Sequence, residues 1–251
     1  MGWLTEWRRK RVLGRHRIDE ALWNAAVREF PFVKRNQDQK LKDLALLFLA
    51  EKEFAGAHGF EVTDVIRLAI AAQACLPIRE LGLDWYRGWT GIVVHPGDFK
   101  VRRTATDEDG VVHEWDDELA GEAMPGGPVV LSWDAAAHDP AINVVIHEFA
   151  HKLDMLSGEP NGVPPLHPDM DRKTWLASLN TAYQGFCDAV ERDRDTWLDP
   201  YAAEHRSEFF AVFTEGFFTD PAEARRRYPD LYEQLVLFYR QDPAARLQNQ
   251  G

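Results

Sequence analysis

Ile142-Asn143-Val144-Val145-Ile146-His147-Glu148-Phe149-Ala150-His151-Lys152-Leu153-Asp154 is the stretch on which the reading of this chain turns. It contains His-Glu-x-x-His. On an α-helix, residues four apart lie one above the other, so His147 and His151 offer imidazole nitrogens to a common point. Such a pair suits zinc, and Glu148 is placed to act as general base on a water at the metal. A surface helix carrying two solvated histidines is the competing reading. The flanks speak against it, because Ile142, Val144, Val145, Ile146, Phe149, Ala150 and Leu153 describe a buried helix. Two histidines and a glutamate inside such a helix need partners.

Composition narrows the classes around that helix. The chain has 251 residues, 45% of them hydrophobic, enough for a sizeable core. Its formal charge of −12 argues against nucleic acid or an anionic membrane as the main partner. Cys75 and Cys187 are the only cysteines, so neither a disulfide framework nor a cysteine zinc site is implied. No apolar run is long enough to cross a bilayer. The basic N-terminus, Met1 to Arg17, lacks the apolar segment of a signal peptide. The expected location is the cytoplasm.

Trp7 to Arg17 is a cluster of positive charge, either a docking arm for an acidic partner or a solvated helix face. Leu41, Leu44, Ala45, Phe48 and Leu49 recur with helical period, and Gly56 and Gly59 close that helix. Thr63 is the expected N-cap of a helix burying Val65, Ile66, Ala69, Ile70 and Gln73, stopped by Pro77. From Gly91 the period changes. Gly91–His95, Phe99–Arg103, Val111–His113 and Gly127–Trp133 read as short strands, with a turn over Asp107–Gly110. A small, largely antiparallel sheet is thus expected before the His-Glu-x-x-His helix, and its edge either accepts an extended peptide or is covered. Beyond the motif come a Gly/Pro loop over 158–168 and a helix from Trp175 to Val190. Asp199-Pro200 then breaks the chain, an apolar helix runs from Glu204 to Phe218, and a last helix covers Leu231–Tyr239. Residues 241–251 read as a frayed tail. The fold class is α+β, mostly helical with a small antiparallel or mixed sheet. A single domain is expected, made of an N-terminal segment (1–40), helices and sheet (41–133), a catalytic core (134–240) and the tail.

Two histidines leave a catalytic zinc site incomplete. The metzincin pattern requires Gly at 154 and His at 157, where this chain has Asp154 and Ser157, and that class is excluded. A carboxylate from a second helix is the simplest third ligand. Glu208, among Phe209, Phe210, Val212 and Phe213, is the first candidate, with an ion pair to Arg206 or Arg225 as its alternative. Glu215, two turns further on the same face, could orient an imidazole N–H, and so could Asp154, three residues after His151.

Several of these stretches together resemble one family. His147–Asp154, Gly162-Val163-Pro164, Asp199-Pro200-Tyr201-Ala202-Ala203, Glu208–Val212 and Phe238–Pro243 are similar to the Mlc titration factor A family of M90-type peptidases. So are Gly59-Phe60-Glu61, Ala72–Pro77, Leu81–Trp85 and Gly127–Trp133, and the likeness covers the chain from about residue 41. The resemblance implies a gluzincin-like zinc metallopeptidase core, similar to that of anthrax lethal factor, with one Zn2+ per chain. It implies His147, His151 and Glu208 as ligands, Glu148 as base, and a peptide or protein as substrate, with aminopeptidase action among the possibilities. It also implies Tyr201 as donor to the oxyanion, with a partly buried anchoring tyrosine as the alternative, and His113 as an additional zinc ligand, with a strand histidine that binds no metal as the alternative. In one continuous helix, Tyr201 and Glu208 would stand about 10.5 Å apart along the axis, so Tyr201 must come off the Asp199-Pro200 loop instead. The family's name adds a second reading, a regulatory protein that sequesters a transcriptional repressor. A purely structural zinc is disfavoured, since closed sites commonly use cysteines and none is near.

Overall fold

The structure, a computed structural model, describes residues 3–106, 112–138 and 143–248. Helices α1 (Trp3–Arg15), α2 (Glu20–Ala26), α3 (Pro31–Asn36) and α4 (Gln39–Glu51) come first. Strand β1 (Glu53–Gly56) and helix α5 (Asp64–Cys75) precede β2 (Gly91–His95), β3 (Phe99–Thr106), β4 (Val112–Leu119), β5 (Gly121–Ala123) and β6 (Val129–Ser132). The second half is helical: α6 (Trp133–His138), α7 (Val144–Asp154), α8 (Arg172–Glu191), α9 (Arg206–Thr219), α10 (Pro221–Arg227), α11 (Pro229–Tyr239) and α12 (Pro243–Gln248). Local chemistry sets many of the starts. Asp38 and Thr63 accept the N–H groups of Leu41 and Ile66 at the heads of α4 and α5. No helix of the described residues is long and apolar enough to cross a membrane.

The α+β class with a small mixed sheet holds, but the expected pairing needs correction. The main sheet has the order β1-β2-β6-β5, with β1–β2 and β2–β6 parallel and β5–β6 antiparallel. Strands β3 and β4 form a separate antiparallel ladder, from Phe99 opposite Leu119 to Thr106 opposite Val112. The turn expected at 107–110 lies outside the described residues. Strand β1 explains the difference. Glu53–Gly56 is short, only Phe54 in it is half-buried, and it follows α4 directly, so periodicity gives no signal. Once it is present, α5 becomes the helical crossover that a parallel pair requires.

Residues 241–248 of the expected tail are also better ordered than their composition suggests. Asp242 accepts the N–H of Ala245 at 2.9 Å, and Pro243 sits where a missing N–H costs nothing. Buried Gln241 donates to the carbonyls of Leu76 and Pro77, at 2.9 and 3.2 Å.

At the centre lies α7, all eleven of whose residues are buried. Phe149 packs its ring against Phe48, Tyr86 and Trp89 at 5.6, 5.0 and 5.7 Å. Lys152 donates to the carbonyls of Met124 (2.6 Å) and Gly127 (2.8 Å). Lys52 does the same for Tyr86 and Trp89, both at 2.6 Å. The two ammonium groups stand 3.6 Å (Lys52) and 4.7 Å (Lys152) from the centroid of the Trp89 ring. Burial pulls both lysines down to about 8. The buried hydrophobic cluster runs from Trp23 to Ala244, so helices at both ends of the chain support α7.

Two glycines test this packing in opposite senses. A Cβ on Gly56 would collide with the Phe60 carbonyl, whereas one on Gly14 would meet nothing within 4 Å. Gly56→Ala should destabilise the fold by at least about 2 kcal/mol. Gly14→Ala should stabilise it by up to about 1 kcal/mol. Urea unfolding midpoints read both, and equal midpoints for the two variants would contradict the packing at β1.

Candidate metal centre

The site is built where α7 and α9 face one another. Asn143 caps α7, its side-chain oxygen accepting the N–H of Ile146 at 2.8 Å. The backbone N–H of Asn143 donates to Glu215 Oε2 at 2.5 Å, and its side-chain N–H donates to Gln73 Oε1 at 2.8 Å. His205 caps α9, its ring Nδ1 accepting the N–H of Ser207 at 3.3 Å. Glu208 and Glu215, two turns apart on α9, then both reach His147.

The distances define a triangle. Glu208 Oε2 is 3.1 Å from His147 Nε2 and 3.2 Å from His151 Nε2, and the two Nε2 atoms are 3.1 Å apart. On the far side of the first ring, Glu215 Oε1 lies 2.8 Å from His147 Nδ1. A carboxylate there accepts the Nδ1–H, which leaves Nε2 of a neutral imidazole as a lone pair aimed into the triangle. Three acceptors turned toward one point repel each other unless positive charge sits among them. Ligands about 2.0–2.1 Å from a tetrahedral zinc stand roughly 3.3 Å from one another, so this donor set fits a zinc-sized ion. His147, His151 and Glu208 are also the group among the described residues whose ligand atoms gather closely enough to hold a metal.

Protonation is the other way to neutralise the triangle, and the electrostatics show how strongly charge is wanted. Burial opposes a charged His147, but Glu208 and Glu215 outweigh it and hold its pKa well above the ordinary value. Burial likewise opposes the Glu208 carboxylate, yet the two imidazoles keep its pKa far below the usual range. Glu148 differs. Its burial wins over the attraction of the histidines, and its pKa is raised.

Glu148 leaves α7 toward β5. A Cβ on Gly121 would come within 2.5 Å of Glu148 Oε1 and 2.6 Å of Val144 Cγ2, so the strand backbone itself walls the carboxylate. Tyr201 sits on a short 3-10 turn, Pro200–Ala203, before α9 begins. Asp199 accepts its N–H at 2.8 Å, and Tyr183 donates to the Ala203 carbonyl at 2.9 Å. The Tyr201 ring is 44% exposed and its centroid is 6.3 Å from that of His147. The tyrosine is therefore on a loop over the histidines and not on the helix of Glu208.

Other residues stand apart from the triangle. Asp154 accepts the N–H of Gly162 at 2.7 Å, tying the Gly/Pro loop to the end of α7. Its other oxygen and His151 Nδ1 are both buried without a hydrogen-bond partner. His113 is placed on β4 opposite Ala105, but its side chain lies outside the described residues. Sequence reasoning missed Asn143, the role of Gln73 and Gly121. Asn143 carried a signal, an N-capping residue just before an apolar helical run.

A family model described as glucose-regulated metallo-peptidase M90 matches residues 4–240. The chain belongs to this family. The match begins well before residue 41, so residues 4–40, absent from the motifs that suggested the family, are part of it. An uncharacterized protein of Synechocystis is 38% identical over 251 residues, covering 96% of this chain and 90% of that protein. Mlc titration factor A of Pectobacterium atrosepticum is 38% identical over 237 residues, 90% of this chain and 88% of that protein. Mlc titration factor A of Klebsiella pneumoniae is 32% identical over 231 residues, 90% and 87%. Membership makes the chain a metallopeptidase-family protein, and the His147–His151–Glu208 cluster is compatible with its metal.

The geometry ranks the two carboxylates of α9. Elemental analysis should find about one metal ion per chain, lost in His147→Ala and in Glu208→Ala. Glu215→Ala should weaken metal binding about ten- to a hundredfold, because it frees the ring that it orients. A larger loss for Glu215→Ala than for Glu208→Ala would reverse the assignment.

Proposed function

We propose that this protein is a zinc-dependent peptidase of gluzincin type. The observation that carries the reading is the convergence of His147, His151 and Glu208 on one point, with buried Glu148 one residue along α7. Zinc, when bound, supplies a Lewis acid that polarises the scissile carbonyl and acidifies a water. Glu148 takes the proton of the attacking water and passes it to the departing amine. Its burial on α7 and the backbone of β5 against it hold the carboxylate in place for both transfers. Glu215 keeps His147 in the tautomer that points Nε2 inward. Tyr201, held on its turn by Asp199, donates its hydroxyl to the developing oxyanion. Strand β5, at the end of the sheet order and against Glu148, offers main-chain groups to which an extended substrate adds as a further strand.

A cytoplasmic location is part of the same proposal, supported by Cys75 and Cys187, both free thiols. The relatives named Mlc titration factor A support a second reading, in which this chain binds and sequesters a transcriptional repressor. Binding of a repressor needs surface, whereas hydrolysis needs Glu148, so the two readings separate on one variant.

Glu148→Gln should retain metal and fold yet lose at least about a hundredfold in peptide hydrolysis. Tyr201→Phe should lower kcat by a similar factor and leave KM little changed, as expected for a donor used only in the transition state. Digestion of an unstructured peptide library measures both. Undiminished cleavage by metal-loaded Glu148→Gln would remove the peptidase reading. In the same digests, cleavage confined to peptides with a free N-terminus, and blocked by acetylation, identifies aminopeptidase action.

A further inference from the structure

Away from the metal centre, α1 carries a concentration of positive charge at odds with the rest of the chain. The protein has a formal charge of −12, yet Arg8, Arg11 and Arg15 line one wall of a cavity of about 1210 Å3. The facing wall comes from the loop after α5 and the turn after β5, and contributes Arg87, Trp89 and Gly127. Arg9 ties the helix down, bonded to Glu51 and Asp84, both at 2.7 Å. That pairing uses up the two carboxylates of the cavity. Among the described residues Arg8, Arg11, Arg15 and Arg87 have no carboxylate partner, and all four are exposed. Four guanidinium groups without a carboxylate partner, one of them Arg11 over the Trp7 ring at 5.4 Å, line one concavity and attract an anion.

We propose that this cleft is a docking site for an acidic peptide segment of a partner protein. Its shape and its lining both favour a peptide. Arg15 on the helix and Arg87 on the loop address one cavity from different walls, which a flexible chain enters and a flat bilayer does not. A nucleic acid would run its remaining phosphates over a surface of net negative charge. Exposed Trp7 and half-buried Val12, both on α1, add apolar area between the cations, suited to an aromatic side chain among acidic ones. The floor also has a mechanical link. Trp89 and Gly127 belong to the two loops held by Lys52 and by Lys152, the residue that follows His151. An occupant of the cleft therefore rests on segments tied directly to α7. The proposal goes beyond the peptidase reading and does not need it, because binding can be measured where nothing is cleaved.

The test is fluorescence anisotropy of a labelled, unstructured peptide of alternating Glu and Tyr, with metal-loaded wild type and with Glu148→Gln. Both proteins should bind it, and binding should weaken as salt is raised. The combined reversal Arg8→Glu, Arg15→Glu and Arg87→Glu should weaken binding at least about tenfold. The reversal Arg172→Glu with Arg194→Glu, at the head of α8 and just beyond its last turn, should leave it within about twofold. Should the triple variant fail to fold, Arg87→Glu alone, outside α1, should still lower affinity at least about threefold. A labelled oligothymidylate and vesicles containing phosphatidylglycerol serve as rival probes. Absence of peptide binding, equal loss in the α8 control, or tighter binding to either rival would overturn the proposal.

Discussion

Nε2 of His147, Nε2 of His151 and Oε2 of Glu208 are held 3.1–3.2 Å apart, each presenting electrons to the same small volume. Such an arrangement is unfavourable on its own, and two helices have to be fixed rigidly to maintain it. Glu215 accepts both the Nδ1–H of His147 and the backbone N–H of Asn143, so one carboxylate fixes a ring and the head of the helix that carries it. Breaking a buried charged interaction of this kind by removing one partner typically costs about 3–5 kcal/mol. The surrounding aromatic core, Phe149 against Phe48, Tyr86 and Trp89 behind it, offsets that demand with apolar burial.

The division of labour between α7 and α9 explains why the sheet can be so small. It supplies a wall beside Glu148, and β5 does this with the three residues Gly121–Ala123. Gly121 is where a side chain is forbidden: the backbone comes so close to Glu148 that a Cβ would overlap the carboxylate. A position of this type constrains the chain as strongly as a ligand does, although it contributes no functional group.

The centre of the site was legible in the sequence because its residues violate the apolar pattern around them. His147, Glu148 and His151 interrupt a run that is otherwise core, and Glu208 and Glu215 interrupt a helix rich in phenylalanine. Placing Tyr201 off the α9 helix also followed from distance along a helix axis, and the 3-10 turn has it there. What escaped were features that depend on approach between distant segments. Strand β1 has only four residues and no periodic signal, so the parallel partner of β2, itself legible as Gly91–His95, escaped. Gly121 looks like any turn glycine until α7 is laid against it. The order at Gln241 comes from carbonyls more than 160 positions earlier in the chain, at Leu76 and Pro77. The side chain of His113 lies outside the described residues.

The complete burial of α7 has a further consequence, for the dynamics of the protein. An element exposed along one face can open locally, at a fraction of the cost of unfolding the whole molecule. A helix enclosed on every side, with all eleven residues buried, has no such route. Its amide hydrogens exchange with solvent only when the core itself opens, so they belong to the most protected cooperative unit of the chain. His147, His151, Glu148 and the core residues beside them then rise and fall as one unit. Wear at the margins, in α1 or the end of α12, leaves the chemistry intact, while any substitution that loosens α7 is felt as loss of the fold.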